Sequence, residues 1–161
     1  MKRIIYTLLI LPLLLFFSAC TKDFLDVDTQ GAATADSDPA LAEKLVTGVY
    51  NSLISGDAFG SGDTHGIAYI SFTNIISDDA DKGSTPNDQI GVIGDIDNFT
   101  YGPTNVFVGS LWSGHYNAIA RCNQALKALE TAKIDDATRN RYIGEVRFIR
   151  GYYYFNLVRF Y

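Results

Sequence analysis

The sequence has little histidine, little cysteine and no excess of positive charge, and these shortages exclude several classes of protein. Its two histidines are too few for a metal cluster unless carboxylates complete the ligand set. Asp and Glu outnumber Lys and Arg by 18 to 13, and no basic stripe is present to neutralise phosphates, which argues against nucleic acid as a partner. There is no nucleophile elbow, paired-cysteine motif or phosphate loop, and Gly60, Gly62 and Gly66 miss the dinucleotide-binding spacing. The sequence therefore predicts no enzyme, no cofactor and no metal site.

The sequence also lacks an apolar run long enough to cross a membrane. Residues 4–17 are apolar, whereas a helix needs about 20 residues to span a bilayer core. Lys2 and Arg3 precede the run, and Ser18, Ala19 and Cys20 follow it, which is typical of a signal peptide over residues 1–19. Two small residues before a cysteine resemble a lipobox, in which the cysteine is lipidated, although Phe17 stands where leucine is usual. The alternative is an ordinary secreted protein with an incidental cysteine.

Lipidation of Cys20 would leave Cys122 without a cysteine partner, so no disulfide is expected. Removal of the signal leaves 142 residues, which is enough for one domain. The net charge of these residues is −7. The charge is uneven, because residues 20–100 hold 14 acidic side chains against three lysines, while residues 101–161 hold four acids against eight bases. Aromatic residues follow the bases along the chain.

The first half predicts short helices and long loops. Residues 20–38 form an extended tether, and a helix starts near Pro39 with Asp38 as its N-cap. Its apolar stripe comprises Leu41, Leu45, Val49 and Leu53, widened by Val46, Tyr50 and Ile54. Gly56 is expected to end this helix, and residues 56–66 form a glycine-rich loop. A short helix over residues 67–76 and a long loop over residues 77–105 follow.

The second half predicts two long helices. Trp112, Tyr116, Ile119, Cys122, Leu126 and Leu129 recur at helical spacing, which indicates a core face and makes Cys122 a core residue. Residues 131–136 turn the chain, and the last helix carries Tyr142, Val146, Ile149, Tyr153, Leu157 and Phe160 on one face. Because Phe148, Tyr152 and Phe155 occupy another face, this helix is apolar nearly all round, as in a large protein's interior. The helices should pack antiparallel, and the chain is expected to be a fragment of a larger domain.

Three motifs together resemble the SusD/RagB family of nutrient-binding outer-membrane lipoproteins. They are the entry Cys20-Thr-Lys-Asp-Phe-Leu-Asp-Val27, the spacing Trp112-x3-Tyr116-x2-Ile119-x3-Asn123, and the segment Glu145-x-Arg-Phe-Ile-Arg-Gly-Tyr-Tyr-Tyr-Phe-x-Leu-Val158. In the last motif Ile149 and Gly151 depart slightly from the family pattern. The resemblance covers residues 20–161, which correspond to the N-terminal part of a typical member.

The resemblance implies an all-α fold with tetratricopeptide-like helix pairs and long irregular loops, so that residues 39–161 are the first part of a SusD-like domain. It implies non-catalytic binding of a nutrient, an oligosaccharide or other glycan, at the cell surface. The partners it implies are a TonB-dependent SusC-like transporter and the outer membrane itself, reached through the lipid on Cys20. Asp23 and Asp26 resemble the signal that sends such lipoproteins to the outer face. The alternative is a helical-repeat lipoprotein scaffold that binds other envelope proteins and no nutrient.

The ligand site is expected on the loops at residues 56–66 and 77–105 and on parts beyond residue 161. The residues that could accept hydrogen bonds from ligand hydroxyls are Asp57, Asp63, Asp79, Asp81, Asn87 and Asp88. No aromatic residue lies between Phe72 and Phe99, so this half offers no obvious stacking platform. The helical spacing of Trp112 and Tyr116, and of the tyrosines at 152–154, favours core packing over ligand stacking.

The aspartates of the loop at residues 77–105 bear on two questions, calcium binding and the charge of the ligand. Asp78, Asp79 and Asp81 could suggest calcium, but Gly83 stands where a ligand belongs and no glutamate closes the loop, so a solvated acidic turn is preferred. The acidic loop favours a neutral glycan, bound mainly through parts beyond residue 161, over an acidic one, because burying like charges costs affinity.

The signal sequence generates the first testable prediction, which is acylation of Cys20. Mass spectrometry of the mature N-terminus should find a lipid-modified cysteine as the first residue, because two or more acyl chains give stable anchoring where one does not. An unmodified N-terminus, at Cys20 or elsewhere, would contradict the predicted anchor.

Overall fold

The computed structural model describes residues 38, 40–54 and 62–161. These residues form helices and no strand, which confirms the predicted all-α class. The predicted signal peptide, Cys20, most of the tether and Asp57 lie outside the described residues. Within them, no helix is both long enough and apolar enough to cross a membrane. The helices are α1 (Leu41–Ser52), α2 (Ile67–Ile70), which runs into a π-helix (Ser71–Ile75), α3 (Ile93–Asp97), α4 (Val106–Thr131) and α5 (Asp136–Phe160).

Helix α1 begins at Leu41 with Ala40 as its N-cap, so the prediction of Asp38 as the N-cap is wrong by two residues. Asp38 nevertheless organises the entry to the helix. The Asp38 carbonyl accepts from Leu41 N at 3.0 Å, and its Oδ1 accepts from Ala40 N at 3.1 Å. Its Oδ2 accepts from Lys44 Nζ at 2.7 Å, and this hydrogen bond lowers the pKa of the Asp38 carboxyl. The buried side of the helix carries Ala42, Val46, Val49 and Ser52. Tyr50 and Ile54, placed on the apolar stripe by their spacing, are exposed.

Helices α4 and α5 are the antiparallel pair that the sequence predicted. Two hydrogen bonds join the helices along their length. Arg150 Nη1 donates to Asn123 Oδ1 at 2.8 Å, and Tyr161 Oη, at the end of α5, donates to the Val108 carbonyl near the start of α4 at 2.5 Å. Residues 132–135 connect the two helices. This connection is shorter than the predicted turn over residues 131–136, because Thr131 belongs to α4 and Asp136 to α5. Arg139 closes it by donating to carbonyls at the end of α4, those of Leu129 and Ala132, at 2.5 and 2.8 Å.

The main core lies where α1 covers the α4–α5 pair. Its largest fully buried side chains are those of Tyr153, Leu129, Val49, Val146 and Cys122. Ser52 Oγ and Tyr153 Oη share a 2.8 Å hydrogen bond across α1 and α5, so the tyrosine hydroxyl is satisfied inside the core. Cys122 is fully buried, as predicted, and burial raises the pKa of its thiol to about 11, which keeps it protonated and unreactive at neutral pH.

The predicted loop at residues 77–105 is wrong in one respect, because it contains α3. Ile96 is fully buried there and packs with Ala68, Phe107 and Leu111 in a second, smaller core. The helix is short and lies among Asp, Gly and Asn residues, so its apolar period is too brief to be recognised in the sequence. The preceding α2 and π-helix confirm the helical prediction for residues 67–76, with a π turn that periodicity did not indicate.

Asp63 joins the two cores through a contact that requires glycine at position 114. A Cβ on Gly114 would lie 2.6 Å from the Asp63 carbonyl carbon and 2.8 Å from its amide nitrogen. The Asp63 amide donates to Ser110 Oγ at 3.4 Å, one turn before Gly114 on α4. The Asp63 carboxylate accepts from Gly66 N at 2.5 Å and from Ala68 N at 2.7 Å, where α2 begins. The backbone of α4 thus holds the loop, and the loop holds the start of α2.

This contact generates the second prediction, that Gly114→Ala destabilises the protein. The added methyl group must push the Asp63 backbone away from α4, and overpacking of this kind costs about 1–3 kcal/mol. Chemical denaturation of the intact protein should show this loss in the free energy of unfolding. Gly109→Ala is the matched control on the same helix, since a Cβ there meets nothing within 4 Å, and it should stabilise by about 0.5–1 kcal/mol. Equal effects of the two substitutions would contradict the close-packing argument.

Candidate functional site

An acidic cleft lies between the residues that follow the π-helix and those at the end of α3. Its volume is about 480 Å³. The side chains that give it chemical character are four aspartates and one aromatic ring, namely Asp78, Asp79, Asp81, Asp97 and Phe99. Ile75 and Ile76, at the end of the π-helix, add apolar surface. The site therefore combines hydrogen-bond acceptors with a ring face, the two features that sugar recognition requires.

The loop that carries three of these aspartates is held by its own side chains. Asp81 Oδ1 accepts from Gly83 N at 2.6 Å, and Gly83 has a φ of 72°, which glycine adopts without strain. Lys82 Nζ donates to Ser84 Oγ at 3.0 Å and to the carbonyls of Thr85 and Asp88, each at 2.7 Å. One ammonium group thus binds three positions of the following turn. The acidic segment is presented from a braced loop, although most of it is exposed.

Phe99 enters the cleft from a strained backbone. Its φ is 57°, in the left-handed region that a bulky side chain rarely adopts, and its side chain is 71 % exposed. The turn is fixed by the Phe99 amide, which donates to the Ile96 carbonyl at 3.1 Å, and by Asn98 Nδ2, which donates to the Gly94 carbonyl at 2.7 Å. Strained residues of this kind cluster at functional sites. An exposed phenyl ring held in this way is available to a ligand.

The six residues predicted as hydroxyl acceptors are separated by the structure. Asp79 and Asp81 line the acidic cleft. Asn87 and Asp88 lie on the exposed turn braced by Lys82 and are not among its lining residues. Asp63 is fully buried, and its two carboxylate oxygens are used by backbone amides, while Asp57 lies outside the described residues. The sequence analysis did not predict Asp97 and Phe99 as site residues. The signal that could have found them is an aromatic residue that belongs to no apolar period and closely follows a short acidic stretch.

The prediction that Trp112 and Tyr116 pack in the core is wrong. Trp112 is 46 % exposed and Tyr116 is 42 % exposed, with their ring centroids 4.7 Å apart. Tyr161 meets Trp112 edge to face at 5.1 Å. The buried side of α4 at this level carries Leu111, His115 and Ala118 instead, because this side faces α5 and the loop that contains Asp63.

The tyrosine run at 152–154 serves two roles. Tyr153 is buried, as predicted, and Tyr152 is half-buried with its hydroxyl 2.8 Å from His65 Nε2, whereas Tyr154 is exposed. The fully buried His115 donates from Nδ1 to the Leu111 carbonyl at 2.9 Å, which gives this side chain a structural role within α4. Burial lowers the pKa of both histidines, so the neutral rings are favoured. In the described ranges, no group of three or more His, Cys, Asp or Glu side chains is placed to hold a metal ion.

Comparison with known proteins identifies the family of the chain. A SusD-like family model, described as "Starch-binding associating with outer membrane", matches residues 23–161. Searches of curated proteins and of solved structures gave no match. The matched residues include α1 to α5, the acidic cleft and all parts of the three sequence motifs from Asp23 onward. The helical architecture agrees with the match. The chain belongs to the SusD-like family of starch-binding proteins that associate with the outer membrane.

Proposed function

We propose that this protein binds a neutral glycan at the outer face of the outer membrane, catalyses no reaction on it, and passes it to a TonB-dependent SusC-like transporter. The observation that carries the proposal is the acidic cleft, in which Phe99 stands beside four aspartates in a chain of a family described as starch-binding. The lipid on Cys20 would tether the protein beside its transporter.

The chemistry of the cleft favours hydroxyl-rich, uncharged ligands. A sugar ring can lie against the exposed face of Phe99, and aromatic contacts add about 0.5–1.5 kcal/mol beyond burial. The carboxylates of Asp79, Asp81 and Asp97 accept hydrogen bonds from hydroxyl groups, and bonds to charged acceptors are stronger than those between neutral groups. The same carboxylates repel uronates and other anionic sugars, so the cleft selects by charge as well as by shape.

The glycan proposal predicts that removal of the Phe99 ring weakens binding. Phe99→Asn is the sharpest change, because asparagine tolerates the left-handed backbone while losing the stacking surface. Calorimetry of the intact protein with neutral oligosaccharides should show affinity falling by about 2- to 10-fold, the equivalent of the aromatic contact. Asp79→Asn should weaken binding as well, since it replaces a charged acceptor by a neutral amide.

Phe148→Ala is the matched control, because Phe148 is also an exposed phenylalanine but lies on α5. It should leave glycan affinity unchanged. Tight binding of a polyuronate, binding of peptides alone, or full affinity in Phe99→Asn would each contradict a neutral-glycan cleft with Phe99 as its platform.

The partner proposal predicts co-purification with a large β-barrel protein. Mild detergent extraction of native membranes, followed by affinity isolation of this protein, should recover a TonB-dependent transporter in stable proportion. The competing function is a lipoprotein scaffold for other envelope proteins. Repeated isolation of other envelope proteins without a transporter, together with no glycan binding, would favour that scaffold.

A further inference from the structure

The two histidines of the chain meet where the loop before α2 lies against the α4–α5 pair. His65 is on that loop and His115 is on α4, with their ring centroids 6.4 Å apart. His65 Nε2 lies 2.8 Å from Tyr152 Oη on α5, and the two rings stack with an interplanar angle of 7°. His65 is half-buried and His115 is fully buried. The histidine pair thus joins the loop to both long helices.

The surroundings of His115 favour a neutral ring. Its Nδ1 donates to the Leu111 carbonyl at 2.9 Å, which fixes the proton on Nδ1 and leaves Nε2 as the unprotonated nitrogen. Among the described residues, Nε2 has no hydrogen-bond partner, and neither has the carboxamide of Asn156, which is fully buried on α5. Protonation of Nε2 would therefore create a buried charge and a buried N–H without an acceptor. Burial accordingly lowers the pKa of His115.

The charged groups around the histidine pair do not compensate for this cost. Asp63 is the anion on the same loop, but its carboxylate already accepts from the amides of Gly66 and Ala68. Burial lowers the pKa of each histidine by more than the charge of Asp63 raises it, and two protonated rings would also repel each other. The other titratable groups close to the pair supply no negative charge near neutral pH. In the described part of the chain they are Tyr69 on α2 and Tyr152, Tyr153 and Arg159 on α5.

The loop, α2 and the π-helix depend on the histidine pair for their contact with α5. Residues 62–76, which comprise these three parts, are called the α2 segment below. Tyr69 Oη, on α2, lies 3.4 Å from the same Tyr152 hydroxyl that His65 contacts. The main core formed by α1, α4 and α5 contains neither histidine. Loss of the histidine contacts is therefore expected to free the α2 segment before it affects the main core.

We propose that His65 and His115 form a pH-sensitive switch, in which neutral rings hold the α2 segment against α4 and α5 and protonation releases it. In the released segment solvent reaches both rings, and they bind protons with the ordinary histidine pKa of 6.5. Because the pKa values in the held state lie below this value, the held state is fully stable above about pH 6.5 and loses stability as the pH falls further. The segment ends with Ile75 and Ile76, which line the acidic cleft, so acidification alters the cleft whatever the cleft binds.

Hydrogen exchange of the intact protein, prepared without a histidine tag, tests the switch. Opening constants are compared at pH 7 and pH 5 after correction for the intrinsic pH dependence of exchange. The amides of Ile70 and Ile76, which donate to the carbonyls of Gly66 and Ser71, report on the α2 segment. Their opening constants should rise at least about tenfold at pH 5, because each proton taken up on release raises the constant by up to about tenfold per pH unit. Amides in the middle of α4 and α5 should change much less.

Replacement of both histidines should remove the pH dependence, since the chain contains no other histidine. The double variant His65→Gln with His115→Gln should show equal opening constants for the α2 segment at pH 7 and pH 5, because glutamine does not titrate. His65→Gln alone, at the half-buried position, should reduce the difference severalfold and provides the test if the double variant does not fold. Tyr154→Phe, at an exposed tyrosine on α5, is the control and should leave the difference unchanged.

Three results would overturn the switch. The α2 segment could keep the same opening constant at both pH values in the unaltered protein. All helices could open to the same extent at pH 5, which would indicate global unfolding by acid. The histidine variants could keep the full difference between pH 7 and pH 5, which would assign the pH dependence to carboxylates instead.

Discussion

The part of the structure that carries the acidic cleft depends on the close contact between the Asp63 backbone and Gly114. It fixes the loop that precedes α2, and the Asp63 carboxylate then orders the first amides of α2. Helix α2 runs into the π-helix, whose last residues line the acidic cleft. A displacement at Gly114 would therefore reach the cleft through the hydrogen bonds between Asp63 and the start of α2. This explains why a glycine stands on the buried side of a long helix, where alanine would otherwise favour helix formation.

The uneven charge of the sequence becomes two chemically distinct surfaces. The acid-rich first half supplies the cleft, where carboxylates are gathered around a single ring, and the arginine-rich second half supplies the edges of α5. Like charge concentrated in one place is costly in a folded domain, because the groups repel one another. The cleft gathers its carboxylates in spite of this cost, in the part of the chain where residues 20–100 hold only three lysines.

The error at Trp112 and Tyr116 has a physical origin in the geometry of helix packing. Periodicity identifies which residues share a face, but α4 has an apolar residue on more than one face at its N-terminal end, and the spacing alone does not choose between them. The choice is made by small and polar residues, since Ser110 and Gly114 admit the Asp63 loop and His115 satisfies its Nδ1 within the helix. The burial of these residues displaces the large aromatic rings to the solvent side.

The sequence by itself determined the helical class, the antiparallel pair, the core role of Cys122 and Tyr153, and the family motifs, because each depends on local periodicity or on short, contiguous patterns. It also located two aspartates of the cleft, Asp79 and Asp81, through their density in one loop. Only the tertiary structure brought Asp97 and Phe99 to that loop, since they are joined to it by a helix too short to show a period. It likewise withdrew Asp63 from the surface. The two backbone hydrogen bonds that its carboxylate accepts offset the cost of burying it against α4, and no local pattern records that α4 lies there.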